Sequence, residues 1–201
     1  QRTIYGVLSH LKNFILLNQE LSLIKNFIIT LLIGFFFMPN VSKAELIDTL
    51  KENNKLIFIR HALAPGNGDP INFNISNCGT QRNLDSLGKE QSVRLGQYFK
   101  INNIPIDTVL SSEWCRCKDT AKLAFQNFAT FKPLNSFYDP KFYKNKEPQL
   151  INLKKYINNL EEEGNIVFVT HYVVIDAMFG VGVTSGEILI ADRNLNVLGF
   201  I

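Results

Sequence analysis

Arg60 and His61 end the apolar run LIFIRH, and His171 ends the run IVFVTH. A second arginine, Arg116, stands in SSEWCRC, four residues beyond the segment DTVLSS. A neutral imidazole is a nucleophile near physiological pH, and a guanidinium forks onto phosphate oxygens. Arg116 also falls near an expected helix N-terminus, whose free amides add donors for an anion. Two imidazoles, two guanidiniums and a helix start therefore make an anion site suited to a phosphoryl group, with His61 placed to attack phosphorus. Either histidine alone is more often a satisfied structural residue. The pairing carries the argument, because the third histidine, His10, lies in a leader segment.

Elements of a particular kind must bring these residues together. Short runs rich in Val, Ile and Phe that alternate with helix-like stretches read as buried parallel strands, and the carboxyl ends of such strands line the ligand crevice of an open α/β sheet. The pattern predicts strands at 55–60, at 107–112, from Thr130 through TFKPLNSF, and at IVFVT, with Pro133 marking an edge or an early end of the third. A helix is expected over LGKEQSVRLGQYFK, with Leu87, Val93 and Leu95 to Phe99 facing inward and Glu90 paired to Arg94 one turn on. Further helices are expected through EWCRCKDTAKLAFQNF and from Pro148 to Glu162, and GEILIADRNLNVLGFI reads as a closing hairpin. Between Ala62 and Asn83 runs a Gly/Pro/Asn-rich loop long enough to suggest a function. The fold expected is a three-layer α/β/α sandwich around a mostly parallel sheet.

Residues 1–44 read as an address rather than as fold. Lys25 precedes the unbroken apolar run Phe27 to Met38, then Pro39, and VSKA offers Ser42 and Ala44 as the small residues of a cleavage site. Cleavage after Ala44 and export to a periplasmic or secreted location are expected. An uncleaved anchor is the alternative, although a 12-residue run falls short of the roughly 20 residues needed to cross a bilayer. Removing Arg2, Lys12, Lys25 and Lys43 from 21 basic residues, and Glu20 from 18 acidic ones, leaves 17 of each, so residues 45–201 form a neutral domain. Without a Lys/Arg tract there is no signal for nucleic acid or for a membrane surface as a partner of that domain. In an oxidising compartment Cys78 is expected to pair with Cys115 or Cys117, since the C-x-C neighbours are awkward to bridge to each other. A zinc site on the three cysteines is the rival, but it lacks the second close pair of a structural zinc motif.

At these residues the chain resembles the histidine phosphatase superfamily, the phosphoglycerate-mutase-like enzymes. The resemblance rests on the Arg60-His61 pair after the first strand, on RNLDSLGKEQS, on SSEWCRCKDTA and on VTHYVVI, in that order, with Ala62 where the family usually has Gly. It implies a phosphoglycerate-mutase-like fold and a catalytic set of His61, Arg60, Arg116 and His171. In that set His61 becomes a phosphohistidine, the other three hold the phosphate, and no metal or other cofactor is needed. The implied activity is hydrolysis of a small phosphomonoester. A mutase-like phosphotransferase and an impaired phosphate-binding protein are the alternatives. One departure concerns the general acid. Where many members carry a Glu soon after the third strand, LNSFYDP has Ser136, which leaves Glu113 and Asp139 as the nearest carboxylates. Asn67, six residues past His61, matches a position where some relatives touch the phosphate with Asn, yet GNGDP would form a turn in any case.

Overall fold

The computed structural model describes residues 42–201 apart from Glu162, together with the isolated positions Ser22 and Lys25. The Phe27 to Met38 run lies outside the described residues. Five helices, α1 (Lys43–Lys51), α2 (Ser86–Ile101), α3 (Cys115–Phe125), α4 (Lys146–Asn158) and α5 (Tyr172–Phe179), alternate with six strands among the described residues. The strands are β1 (Leu56–Arg60), β2 (Thr108–Ser111), β3 (Ala129–Thr130), β4 (Ile166–Thr170), β5 (Ile188–Ala191) and β6 (Val197–Phe200). They form one sheet in the order β3-β2-β4-β1-β5-β6. The pairs β1/β4, β2/β4 and β2/β3 are parallel, while β5 runs antiparallel to both β1 and β6.

The two central strands are apolar on successive residues because both of their faces are covered. Ile57, Ile59, Val167 and Val169 pack with Leu46 and Leu50 of α1, Leu95 and Phe99 of α2, and Cys117 and Ala121 of α3. Leu56, Phe58, Ile166 and Phe168 point the other way, onto Leu150, Leu153 and Ile157 of α4 and Val174 and Ile175 of α5. Alternate residues thus serve opposite cores, which is the three-layer α/β/α arrangement. Among the described residues no helix is long and apolar enough to cross a membrane.

Several local expectations are corrected. The third strand is only Ala129–Thr130, because Pro133 sits in a 3-10 turn, Lys132–Leu134, that takes the chain off the sheet edge. Leu87 and Val93 do not face inward; they are 59% and 39% exposed, and the buried stripe of α2 is Gly88, Ser92, Leu95 and Phe99. Close backbone approach explains the shift. A Cβ on Gly88 would stand 1.9 Å from the Leu63 carbonyl oxygen, and one on Gly96 would stand 2.2 Å from that of Ala124. The packing face was therefore chosen by small residues rather than by large apolar ones. Helix α4 begins two residues before Pro148 and ends at Asn158. The Glu90–Arg94 ion pair and the closing β5–β6 hairpin are both present.

Candidate active site

Parallel pairing puts the two histidines side by side. Arg60 is in register with Thr170 across β1 and β4, so the next residue on each strand, His61 and His171, leaves the sheet at the same edge. Their ring centroids lie 5.4 Å apart. Strand β2 runs alongside β4, and the turn at its end leads straight into α3, whose second residue is Arg116. All four residues line a cavity of about 250 Å³ at the carboxyl end of the sheet.

His61 is 2% exposed. Its Nδ1 lies 2.8 Å from the Ala62 carbonyl oxygen, and its Nε2 accepts a hydrogen bond from Arg116 Nε at 3.2 Å. That pattern assigns the proton to Nδ1 and leaves a lone pair on Nε2. Burial, followed by the Arg116 charge, pulls the pKa of His61 down to about 3, so the ring is neutral at pH 7. His171 is also held well below 6.5, first by burial and then by Arg116. Ser112 Oγ donates to Asn135 Oδ1 at 3.1 Å and lies 2.9 Å from His171 Nε2, a pattern that has His171 donating to the serine. Arg60 donates through Nη1 to the Val183 carbonyl and lays its guanidinium over the Tyr172 ring. Its buried Nε has no hydrogen-bond partner among the described residues.

Two charged residues of the cavity were not legible in the sequence. Asp69 Oδ1 accepts from Arg116 Nη1 at 2.9 Å and from the Arg82 backbone amide at 3.0 Å. Asp69 Oδ2 accepts from Arg116 Nη2 at 3.3 Å and from Trp114 Nε1 at 3.0 Å. Burial raises the carboxyl, but the Arg116 charge and these donors outweigh it and hold the pKa below the usual carboxylate range. Arg82 lines the same cavity and donates to the carbonyls of Gly68 and Ala64. Both sit in the long loop, Asp69 in GNGDP, which reads as a turn, and Arg82 at the start of RNLDSLGKEQS, a stretch that supports the resemblance without marking the arginine. Only the length of that loop hinted at a role.

Of the two expected acids only Asp139 reaches the cavity. Glu113 does not line the cavity and accepts from Asn135 Nδ2 at 2.7 Å. Asp139 does line it, but caps the 3-10 helix Pro140–Asn145 through Lys141 N and lies 3.6 Å from Lys141 Nζ. Ser136 is buried at the cavity wall. Asn67 lines the cavity and accepts from the Tyr138 hydroxyl at 3.0 Å. Cys78 is bonded to Cys115 and Cys117 is free and buried, so two of the three thiols of a zinc alternative are consumed. The disulfide fastens the end of the loop to the residue just before Arg116.

Residues 56–135 match the family model described as Histidine phosphatase superfamily (branch 1). His171 lies outside that matched stretch. Solved structures agree on the fold. A phosphoglycerate mutase from Thermus thermophilus is 16% identical with a TM-score of 0.53, the match covering 73% of this chain and 98% of that one. The protein TTHB049 from the same organism gives the same identity, coverage and TM-score. No curated protein matches the chain.

Proposed function

With residues 56–135 matching the histidine phosphatase superfamily, we propose that this chain is a phosphatase that hydrolyses a small phosphomonoester through a covalent phosphohistidine at His61. The observation that carries the reading is the state of His61: neutral, its Nδ1–H anchored on the Ala62 carbonyl, and its Nε2 lone pair beside the Arg116 guanidinium. Arg60 and Arg116 hold the phosphoryl oxygens through their guanidinium donors, and His171 joins them by turning its Nε2–H from Ser112 to the bound group. As Arg116 turns its Nε–H to the phosphoryl group, His61 Nε2 is released and attacks phosphorus, the bond from phosphorus to the leaving oxygen breaks, and that oxygen takes a proton from solvent. The Ala62 carbonyl stabilises the positive charge that the ring acquires, as its partner on Nδ1. Water then attacks phosphorus and the P–N bond returns its electron pair to Nε2. The proton of the water passes to solvent or product, and inorganic phosphate leaves.

A cavity of about 250 Å³ accommodates a phosphoryl group and a small part of its leaving group. This is below the roughly 300–1,000 Å³ of sites that enclose drug-sized ligands. With Asp139 in a cap and Asp69 on Arg116, the proposal favours leaving groups that depart without a strong acid. The same commitment of both carboxylates is what a phosphate-binding protein without turnover would display. Acid-quench labelling with a phosphorus-labelled aryl phosphate separates the readings. An acid-labile phosphoenzyme that disappears in His61→Ala supports the enzyme, and phosphate binding with neither label nor turnover supports the binder.

We place the protein in an oxidising compartment outside the cytoplasm, sent there by the apolar Phe27 to Met38 run. The Cys78–Cys115 disulfide supports this, since such bonds persist where thiols are not kept reduced. Ser42 caps α1 by accepting from Glu45 N, and cleavage after Ala44 removes that cap together with the first two helical residues. Intact mass of the exported protein reads the start residue directly: a mass that retains the Phe27 to Met38 run rejects cleavage.

A further inference from the structure

Arg116 presents its guanidinium to a cavity in which most of its donors are already taken. Nε faces His61 Nε2, Nη1 serves Asp69 Oδ1 and the Arg82 carbonyl, and Nη2 serves Asp69 Oδ2. One N–H on Nη2 is all that remains without a partner among the described residues. A phosphoryl oxygen that takes the fork of Arg116 must therefore take it from Asp69.

Asp69 is itself anchored without help from Arg116. The Arg82 backbone amide and Trp114 Nε1 each hold one of its oxygens, and Trp114 is 4% exposed and stacked on Phe73 at 5.1 Å. The Cys78–Cys115 bond ties the Asp69 loop to the start of α3, the helix that carries Arg116. The carboxylate therefore stays beside the guanidinium when an anion arrives, instead of swinging into solvent.

We propose that Asp69 is a positioning residue that competes with the phosphoryl group for Arg116, so that re-forming the Asp69–Arg116 pair drives inorganic phosphate out of the site at the end of each turnover. The inference rests on the phosphatase reading for its role in turnover, but the competition itself concerns phosphate binding alone. Three guanidiniums, Arg60, Arg82 and Arg116, would otherwise hold a dianionic product tightly. The carboxylate weakens that grip and keeps Nε of Arg116 aimed at His61 between turnovers. A purely architectural Asp69 makes the opposite prediction, because its loss would loosen Arg116 and weaken phosphate binding.

The test is the Kd of inorganic phosphate, by calorimetry, for the full protein and for Asp69→Asn. The amide can still accept from Arg82 N and Arg116 Nη1, but it loses the charge and cannot accept at both positions. Loss of a charged competitor is expected to tighten phosphate by about tenfold or more. With an aryl phosphate, KM and kcat should fall together as phosphate release slows. Unchanged or weaker phosphate binding overturns the proposal. Should Asp69→Asn fail to fold, an orthovanadate-bound structure of the unmodified protein decides: Nη1 or Nη2 should have moved from Asp69 to a vanadate oxygen, and retention of both Asp69 bonds overturns it. A phosphoenzyme together with an unchanged phosphate Kd in Asp69→Asn sinks the competition and spares the phosphatase. Tighter phosphate without any phosphoenzyme does the reverse, and no binding of phosphate by the unmodified protein removes both.

Discussion

The two ends of the central sheet both bury polar side chains, and they differ in how completely those side chains are satisfied. At the amino end Asn165 is fully buried. Its Oδ1 accepts from Lys55 N, and its Nδ2 donates to the carbonyls of Leu50 and Pro105. The amide thus joins the end of α1, the start of β1 and the approach to β2, with each of its polar atoms used. At the carboxyl end His61 Nε2 accepts only from Arg116 Nε at a cavity wall, Arg60 Nε has no partner among the described residues, and Arg116 shares its fork with a carboxylate. A satisfied network lowers the energy of the fold alone, whereas an incompletely matched one retains binding capacity for something else. Burial by itself does not separate structure from function here; the convergence of Arg60, His61 and the Arg116 fork on one cavity does.

Substitution at the two ends should break different properties, and the largest effect is expected at His61. His61→Ala should reduce turnover of an aryl phosphate to background and abolish the labelled phosphoenzyme while the melting transition persists; near-normal rates would remove His61 as nucleophile. Asn165→Leu should do the converse. It leaves the Lys55 amide and the Leu50 and Pro105 carbonyls without their partner, at a cost of about 2–4 kcal/mol in urea unfolding, since each orphaned buried group costs on the order of 1–3 kcal/mol. The kcat/KM of the folded fraction should be unchanged. A loss of activity greater than the loss of folded protein would show that the amino end also tunes the site.

The loop disulfide sharpens the contrast, because it stabilises the fold and braces the site at once. Reduction of Cys78–Cys115, whose partners are 37 residues apart in sequence, should lower stability. Roughly 2–4 kcal/mol is expected for a bond that constrains the unfolded chain. It should also depress kcat/KM, because the loop carries Asp69 and Arg82. A lower melting temperature with full activity would confine the bond to stability. Arg116→Lys keeps the charge but not the fork, and should cost about 1–3 kcal/mol of transition-state stabilisation, read from kcat/KM. Equal kinetics would place Arg116 outside the chemistry.

Acid provides the mildest discrimination. Folding lowers the pKa of His61 from 6.5 to about 3, so between those values the unfolded chain binds a proton that the folded one refuses. The stability tied to the neutral ring is present above pH 6.5 and is lost as pH falls through that window. His171 shifts in the same direction. Each buried histidine contributes a slope of at most about 1.4 kcal/mol per pH unit. Asn165 does not titrate and adds no slope. Urea midpoints measured from pH 7 to pH 4 should fall less steeply for His61→Gln than for the unmodified chain; parallel curves would mean that His61 accepts its proton in the fold.

Much of the framework was legible in local pattern. LIFIR and IVFVT read as strands because a strand covered on both faces needs apolar residues without alternation, and β1 and β4 are buried in that way. Polar residues at the ends of such runs must emerge at a sheet edge, which brings Arg60, His61 and His171 together. Arg116 followed from its position at the start of a helix. The inner face of α2 is not legible in the same way, because Leu87 and Val93 advertise hydrophobicity while the approach at Gly88 and Gly96 concerns backbone from distant segments.

The sequence by itself determined the parallel core, the order of its elements and the placement of Arg60, His61, His171 and Arg116 at strand ends and a helix start, since each depends on periodicity and on chain direction over a few residues. Tertiary structure alone decided the rest. It selected Cys115 over Cys117, because Cys115 reaches Cys78 while the Cys117 thiol turns inward to within 3.6 Å of the Thr170 carbonyl. It also brought Asp69 and Arg82 to Arg116 across 47 and 34 residues of chain. Loop residues carry no periodic signal, and a charge chooses its partner by proximity after folding, so those pairings have no local sequence signature.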